Sequence, residues 1–76
     1  METDKVKQLI EAGLPGAKVE VTGDGRHFEA LVISDAFEGK SLVQRHRMVM
    51  ATVNDQIASD ELHALSIKAK TPAEMD

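Results

Sequence analysis

Hydrophobic positions near the N-terminus recur with a helical period. Val6, Leu9, Ile10 and Gly13 fall at i, i+3, i+4 and i+7, opposite Lys5, Lys7, Gln8 and Glu11. The pattern predicts a helix over residues 3–13, with Thr3 as N-cap and "GLPG" at 13–16 supplying both common stop residues. The period then drops to two. "AKVEVTG" places Val19 and Val21 on one face, "GDG" at 23–25 is a Gly/Asp turn, and "HFEALVISD" reads as a second strand. Together they predict an antiparallel hairpin. In the loop "FEGK" (37–40), Gly39 is expected to take a backbone conformation that other residues avoid. Ser41 and Gln44 have the S-x-x-Q spacing of a capping box, which starts a helix at residue 41. That helix runs towards Ile57, either unbroken or interrupted near "VNDQ". After "ASDE", the segment "LHALSIKAK" reads as a third strand with Leu65 and Ile67 on one face. "TPAEMD" then resembles a helix start, T-x-x-E with Pro72 at the first helical position.

The predicted order is helix, strand, strand, one or two helices, strand. A helical crossover between the second and third strands makes them parallel if they are adjacent, with a right-handed connection. The expected fold class is α+β: a three-stranded mixed sheet with helices packed on one face. The 76 residues read as one domain, near the lower limit for a chain that folds alone around one core.

Composition narrows the chemistry. Phe28 and Phe37 are the only aromatic residues, which weakens a single-strand-binding reading because such sites stack bases on aromatic rings. A net charge of −4 argues against a general polyanion binder while leaving room for a local basic patch. With no cysteine, the chain forms no disulfide, zinc knuckle or thiol nucleophile of its own. No apolar run reaches the ~18–20 residues of a membrane span, and "METDKVKQ" lacks a signal-peptide pattern, so a cytoplasmic protein that avoids membranes is expected. Ser34, Ser41, Ser59 and Ser66 sit in no nucleophile-elbow pattern and "GDG" is followed by no phosphate-loop motif, so no catalytic residue and no enzyme is expected.

The stretch "LVQRHRMVM" (42–50) carries a conspicuous basic triplet. On a helix, Leu42, His46, Val49, Met50, Val53 and Ile57 share one stripe, so His46 is expected to face the core as a structural residue. Arg45 and Arg47 flank that stripe roughly 160° apart and cannot grip one phosphate together. They are expected to be solvated charges or contacts to nucleic acid or a partner protein. Lys40, beside the predicted helix start, is a further candidate contact for an anion, although ordinary capping explains Ser41 equally well. His27 begins the second strand and His63 the third, so two neighbouring parallel strands would bring these histidines to one rim of the sheet. Two imidazoles do not complete a metal site, and Asp24 is a weak third ligand; the pair reads equally as two surface histidines.

The segments "VTGDGRHFEALVIS", "FEGKSLVQRHRMV" and "LHALSIKAKTPAE", in that order and spacing, resemble the BolA family, particularly its short IbaG-like bacterial branch, over residues ~5–75. The resemblance implies an α-β-β-α-α-β fold of the class II KH-like type. It also implies a partner of monothiol glutaredoxins in iron–sulfur trafficking or iron homeostasis, and some family members are DNA-binding transcriptional regulators. The family's C-terminal histidine ligand maps onto His63. The second ligand comes from the loop and strand edge between the first two strands, where His27 is the residue available. The basic helix motif maps onto Arg45, His46 and Arg47, and Gly39 matches the loop before it. Many relatives continue past "TP" with an aromatic and a basic tail; this sequence has Met75 and Asp76 there, so the resemblance does not extend to a nucleic-acid contact relying on that tail.

A [2Fe–2S] cluster takes four ligands, and imidazole can replace thiolate on an iron. Lacking Cys, the chain binds no cluster alone and would share one with a glutaredoxin cysteine and glutathione. The leading expectation is therefore a non-enzymatic adaptor that binds a monothiol glutaredoxin and co-ligates the cluster through His63 and His27. The alternative is a DNA-binding regulator. On its own the chain is expected to be a monomer or a weak dimer.

Overall fold

The computed structural model describes residues 2–59, 62 and 64–75. Its order is α1 (Thr3–Gly13), β1 (Lys18–Gly23), β2 (His27–Ile33), α2 (Leu42–Thr52), α3 (Asn54–Ala58) and β3 (Ala64–Lys70), with 3₁₀ turns at Asp35–Phe37 and Pro72–Met75. The fold is α+β, as the alternating periods predict. No helix among the described residues is long and apolar enough to cross a membrane.

The sheet order is β1-β2-β3. β1 and β2 pair antiparallel from Lys18 opposite Ile33 to Gly23 opposite Phe28. β2 and β3 pair parallel from His27 opposite Ala64 to Ile33 opposite Lys70, so the helical crossover joins adjacent parallel strands. Alternation along the strands gives the sheet two unlike faces. Val19, Phe28, Ala30 and Val32 are buried on one face, where they join Val6 and Ile10 of α1 and Val49 of α2 in the core. Glu20, Glu29, Ser66 and Lys68 stand exposed on the other.

Local chemistry sets the element ends. α1 begins after Glu2, whose extended backbone makes it the N-cap without a side-chain bond; Thr3, expected as the cap, is the first helical residue. Asp4 in the first turn complements the helix dipole instead. Between β2 and α2, Ser34 Oγ accepts from the Ala36 N–H at 3.1 Å and Phe37 is fully buried, anchoring the loop. Glu38 (φ −62°, ψ 129°) and Gly39 (φ 76°), closed by the Lys40 N–H donating to the Phe37 carbonyl at 3.0 Å, form a type II turn. The positive φ expected of Gly39 is the requirement of that turn. α2 then opens with both halves of the capping box: Ser41 Oγ accepts from the Gln44 N–H at 3.2 Å, and Gln44 Oε1 accepts from the Ser41 N–H at 2.9 Å. The helical crossover is interrupted at Val53, whose side chain is fully buried, and α3 follows.

Candidate functional site

α2 presents its faces differently from the expectation. Arg45 is only 8% exposed, whereas His46 and Arg47 are both exposed. His46 is therefore not a core residue, and Arg45 is not a solvated flank available to a partner. The physical reason lies in what the two side chains can find at the start of the helix. Arg45 Nε donates to the Lys40 carbonyl at 3.0 Å, and Nη1 donates to the Ala69 carbonyl at 3.2 Å and to Glu74 Oε1 at 2.6 Å. The guanidinium also lies 6.0 Å from the centre of the Phe37 ring. A planar fork with several donors can serve three acceptors at once, which one imidazole cannot. The inward face of α2 thus runs through Arg45 and Val49; Val49 and Val53 belong to the stripe that apolar periodicity picks out, but Leu42 and His46 of that stripe face outward.

Glu74 completes this latch. Its Oε1 also accepts from the Thr71 N–H at 2.7 Å, so the T-x-x-E spacing produces the returning half of a capping box. The hydrogen bond from Arg45, then that from the Thr71 backbone, holds the Glu74 carboxyl at about 2, well below its usual range. Glu74, Thr71 and the Ala69 carbonyl did not figure as functional or structural partners in the sequence; only the T-x-x-E spacing pointed towards Glu74.

With Arg45 engaged, the outward face of α2 carries Leu42, Val43, His46 and Arg47 around one shallow depression. Leu42 is 77% exposed and Val43 60% exposed, although Leu42 was expected on the core stripe. Lys40 is exposed at the helix entrance. Lys40 and Arg47 are therefore the members of the basic set that remain available.

The rim of the sheet holds the other candidate. His27 is the first residue of β2, stands exposed, and pairs with Ala64, the residue that follows His63 in the sequence. His63 itself lies outside the described residues. Asp24 builds the turn before His27: its Oδ1 accepts from the N–H groups of Arg26 and His27, both at 2.9 Å, and its own N–H donates to the His27 carbonyl at 3.2 Å. These bonds, first from His27 and then from Arg26, lower the Asp24 carboxyl below its ordinary value. Asp24 Oδ2 lies 4.0 Å from His27 Nδ1. That separation exceeds hydrogen-bond reach and both side chains are exposed, so Asp24 fastens the His27 backbone rather than its ring.

Among the described residues, no three His, Cys, Asp or Glu side chains are grouped to hold a metal ion. Among the described residues, the sheet rim carries one exposed imidazole, His27, whose chemistry suits a single ligand position.

Comparisons with known proteins agree with this architecture. The family model of BolA-like proteins matches residues 10–74. The chain is 36% identical over 74 residues to the acid stress protein IbaG of Escherichia coli strain K12, covering 97% of this chain and 88% of that protein. It is 49% identical over 81 residues to SufE-like protein 1, chloroplastic/mitochondrial, of Arabidopsis thaliana, covering 97% of this chain and 22% of that longer protein. The solved structure of a BolA homologue from Coxiella burnetii matches with a TM-score of 0.90 and 43% identity, over 99% of this chain and 96% of that one. With sequence, fold and element order in agreement, this chain belongs to the BolA family.

Proposed function

We propose that this chain is a non-enzymatic cytoplasmic adaptor that binds a monothiol glutaredoxin and co-ligates a [2Fe–2S] cluster at the rim where β2 begins. The observation that carries the proposal is His27: an exposed imidazole at a strand start, in a turn fastened by Asp24, directly opposite the residue that follows His63. His27 and His63 would hold the protein's share of the cluster, and a glutaredoxin cysteine with glutathione would supply thiolates. The cluster would bring its electron-storing iron, bound through neutral imidazole on this side. This chain's own residues do the positioning. Asp24 limits the movement of the His27 backbone, which fixes where the imidazole leaves the rim.

A DNA-binding regulator is the second reading, and exposed Lys40 and Arg47 speak for it. It is the weaker one because Arg45, the middle of the basic set, is bonded to Glu74 and two carbonyls.

The test is visible circular dichroism of the protein mixed with a cluster-loaded monothiol glutaredoxin. The wild-type mixture is expected to give a spectrum distinct from that of the glutaredoxin alone. His63→Ala should remove the imidazole contribution and His27→Ala should weaken it, with both variants folding normally. A spectrum unchanged by either substitution overturns the proposed site.

A further inference from the structure

From Gly39 to Asn54 the sequence contains no Asp or Glu, although the chain as a whole has 13 acidic residues and a net charge of −4. Within that acid-free stretch, two neighbouring aliphatic side chains, Leu42 and Val43, stand more than half exposed at the start of α2. Arg47 and His46 border them in the same depression, and Lys40 stands exposed just before the helix. The patch is thus apolar at its centre and positive at its margin, on a molecule that is otherwise acidic. An apolar centre with a charged rim is the anatomy of a protein-docking surface.

We propose that this face docks an acidic amphipathic helix of a partner protein, with apolar residues of the partner over Leu42 and Val43 and its carboxylates against Lys40 and Arg47. The chemistry favours a peptide over nucleic acid. Two aliphatic side chains contribute nothing to a phosphate backbone, and Phe28 and Phe37, the only aromatic residues, are buried and cannot stack bases. An acidic helix satisfies both halves of the patch at once.

The patch is separate from the His27 rim. His27 starts β2, whereas α2 begins after the loop that leaves the far end of β2, and Arg45 of its first turn bonds the Ala69 carbonyl near the far end of β3. Along β2 that places the two ends ~20 Å apart. The two sites therefore stand on different residues, and the proposal does not depend on the cluster reading.

The test uses the whole protein and a fluorescein-labelled helical peptide of ~16 residues, with Leu at i, i+3, i+4 and i+7 and Glu on both flanks. Binding is followed by fluorescence anisotropy, and the site is mapped by amide chemical-shift changes. The expected result is saturable binding with shifts confined to residues 40–50. Val43→Asp and Arg47→Glu, both at exposed positions, should each weaken binding at least about tenfold while circular dichroism shows an intact fold. Lys68→Glu, on the open sheet face, should change it less than about twofold. A peptide with Lys in place of Glu should bind at least about tenfold more weakly. Equal binding of the Lys peptide, no saturable binding, or tighter binding of a short DNA duplex to the same residues overturns the proposal. So does a homodimer in sedimentation equilibrium that Val43→Asp dissociates.

Discussion

Arg45 Nη1 meets Glu74 Oε1 at 2.6 Å, joining the first turn of α2 to the final 3₁₀ turn across 29 positions of sequence. Because Arg45 also serves the Lys40 and Ala69 carbonyls, Arg45→Met should lower the unfolding free energy by about 2 kcal/mol as those acceptors lose a charged donor. Arg45→Lys should recover only part of this, since an ammonium cannot reproduce the fork. Urea denaturation of the three proteins measures both effects.

The same contact makes the protein acid-sensitive over a defined range. Glu74 is held at about 2 against an ordinary value of 4.5. A carboxyl depressed on folding contributes stability that is complete above its unfolded value and is lost as pH falls through the folded one. Stability should therefore decline between about pH 4.5 and about pH 2, and Glu74→Gln should flatten that part of the profile. Asp24, also depressed, adds a smaller loss in the acid range that remains in the Glu74→Gln variant. Urea unfolding midpoints taken across this range report the difference.

His46 and Val49 offer a direct comparison of the two faces of α2. His46→Ala should alter stability by less than about 0.5 kcal/mol, as expected of an exposed side chain. Val49→Ala should cost about 2 kcal/mol, because Val49 has no exposure and its loss leaves a cavity. Equal costs in denaturant titrations would show that the helix is turned differently.

Gly13 sits where α1 crosses α2. A Cβ there would lie 2.8 Å from the Thr52 Cβ, closer still to its methyl group. Thr52 cannot turn aside cheaply, because its Oγ1 donates to the Val49 carbonyl at 2.6 Å. Gly13→Ala should therefore destabilise by about 1–3 kcal/mol despite the better helix propensity of alanine. Adding Thr52→Ser, which deletes the methyl, should restore part of the loss in the thermal midpoint.

Where the sequence could be read reliably, one local rule governed the outcome. The hairpin around "GDG", the capping box of Ser41 and Gln44 and the positive φ of Gly39 all depend on neighbours within a few positions, whereas the sequence left open whether the crossover breaks before α3. The parallel pairing of β2 and β3 followed from the length of the crossover. The orientation of α2 followed only in part: Val49 and Val53 of the expected stripe are buried, whereas Leu42 and His46 face outward. Arg45 became the inward residue through Lys40, Ala69 and Glu74, two of which are remote in sequence. At the rim, the strand start at His27 was legible, while the bonds by which Asp24 fastens it came from turn geometry that the sequence only suggested.

The constant offset between parallel partners, from His27–Ala64 to Ile33–Lys70, gives the chain an order of assembly. The β1–β2 hairpin needs only its own short turn and can close on the microsecond scale. β3 must wait until the whole crossover has been looped back, and that step pays its entropy before any rung of the parallel ladder forms. Because Arg45 bonds the Ala69 carbonyl of β3 as well as Glu74, the complete latch is expected to form as β3 is seated. Substitutions that weaken β2–β3 pairing should therefore slow refolding. Those that remove the Arg45–Glu74 latch should instead speed unfolding and leave the refolding arm of the chevron almost unchanged.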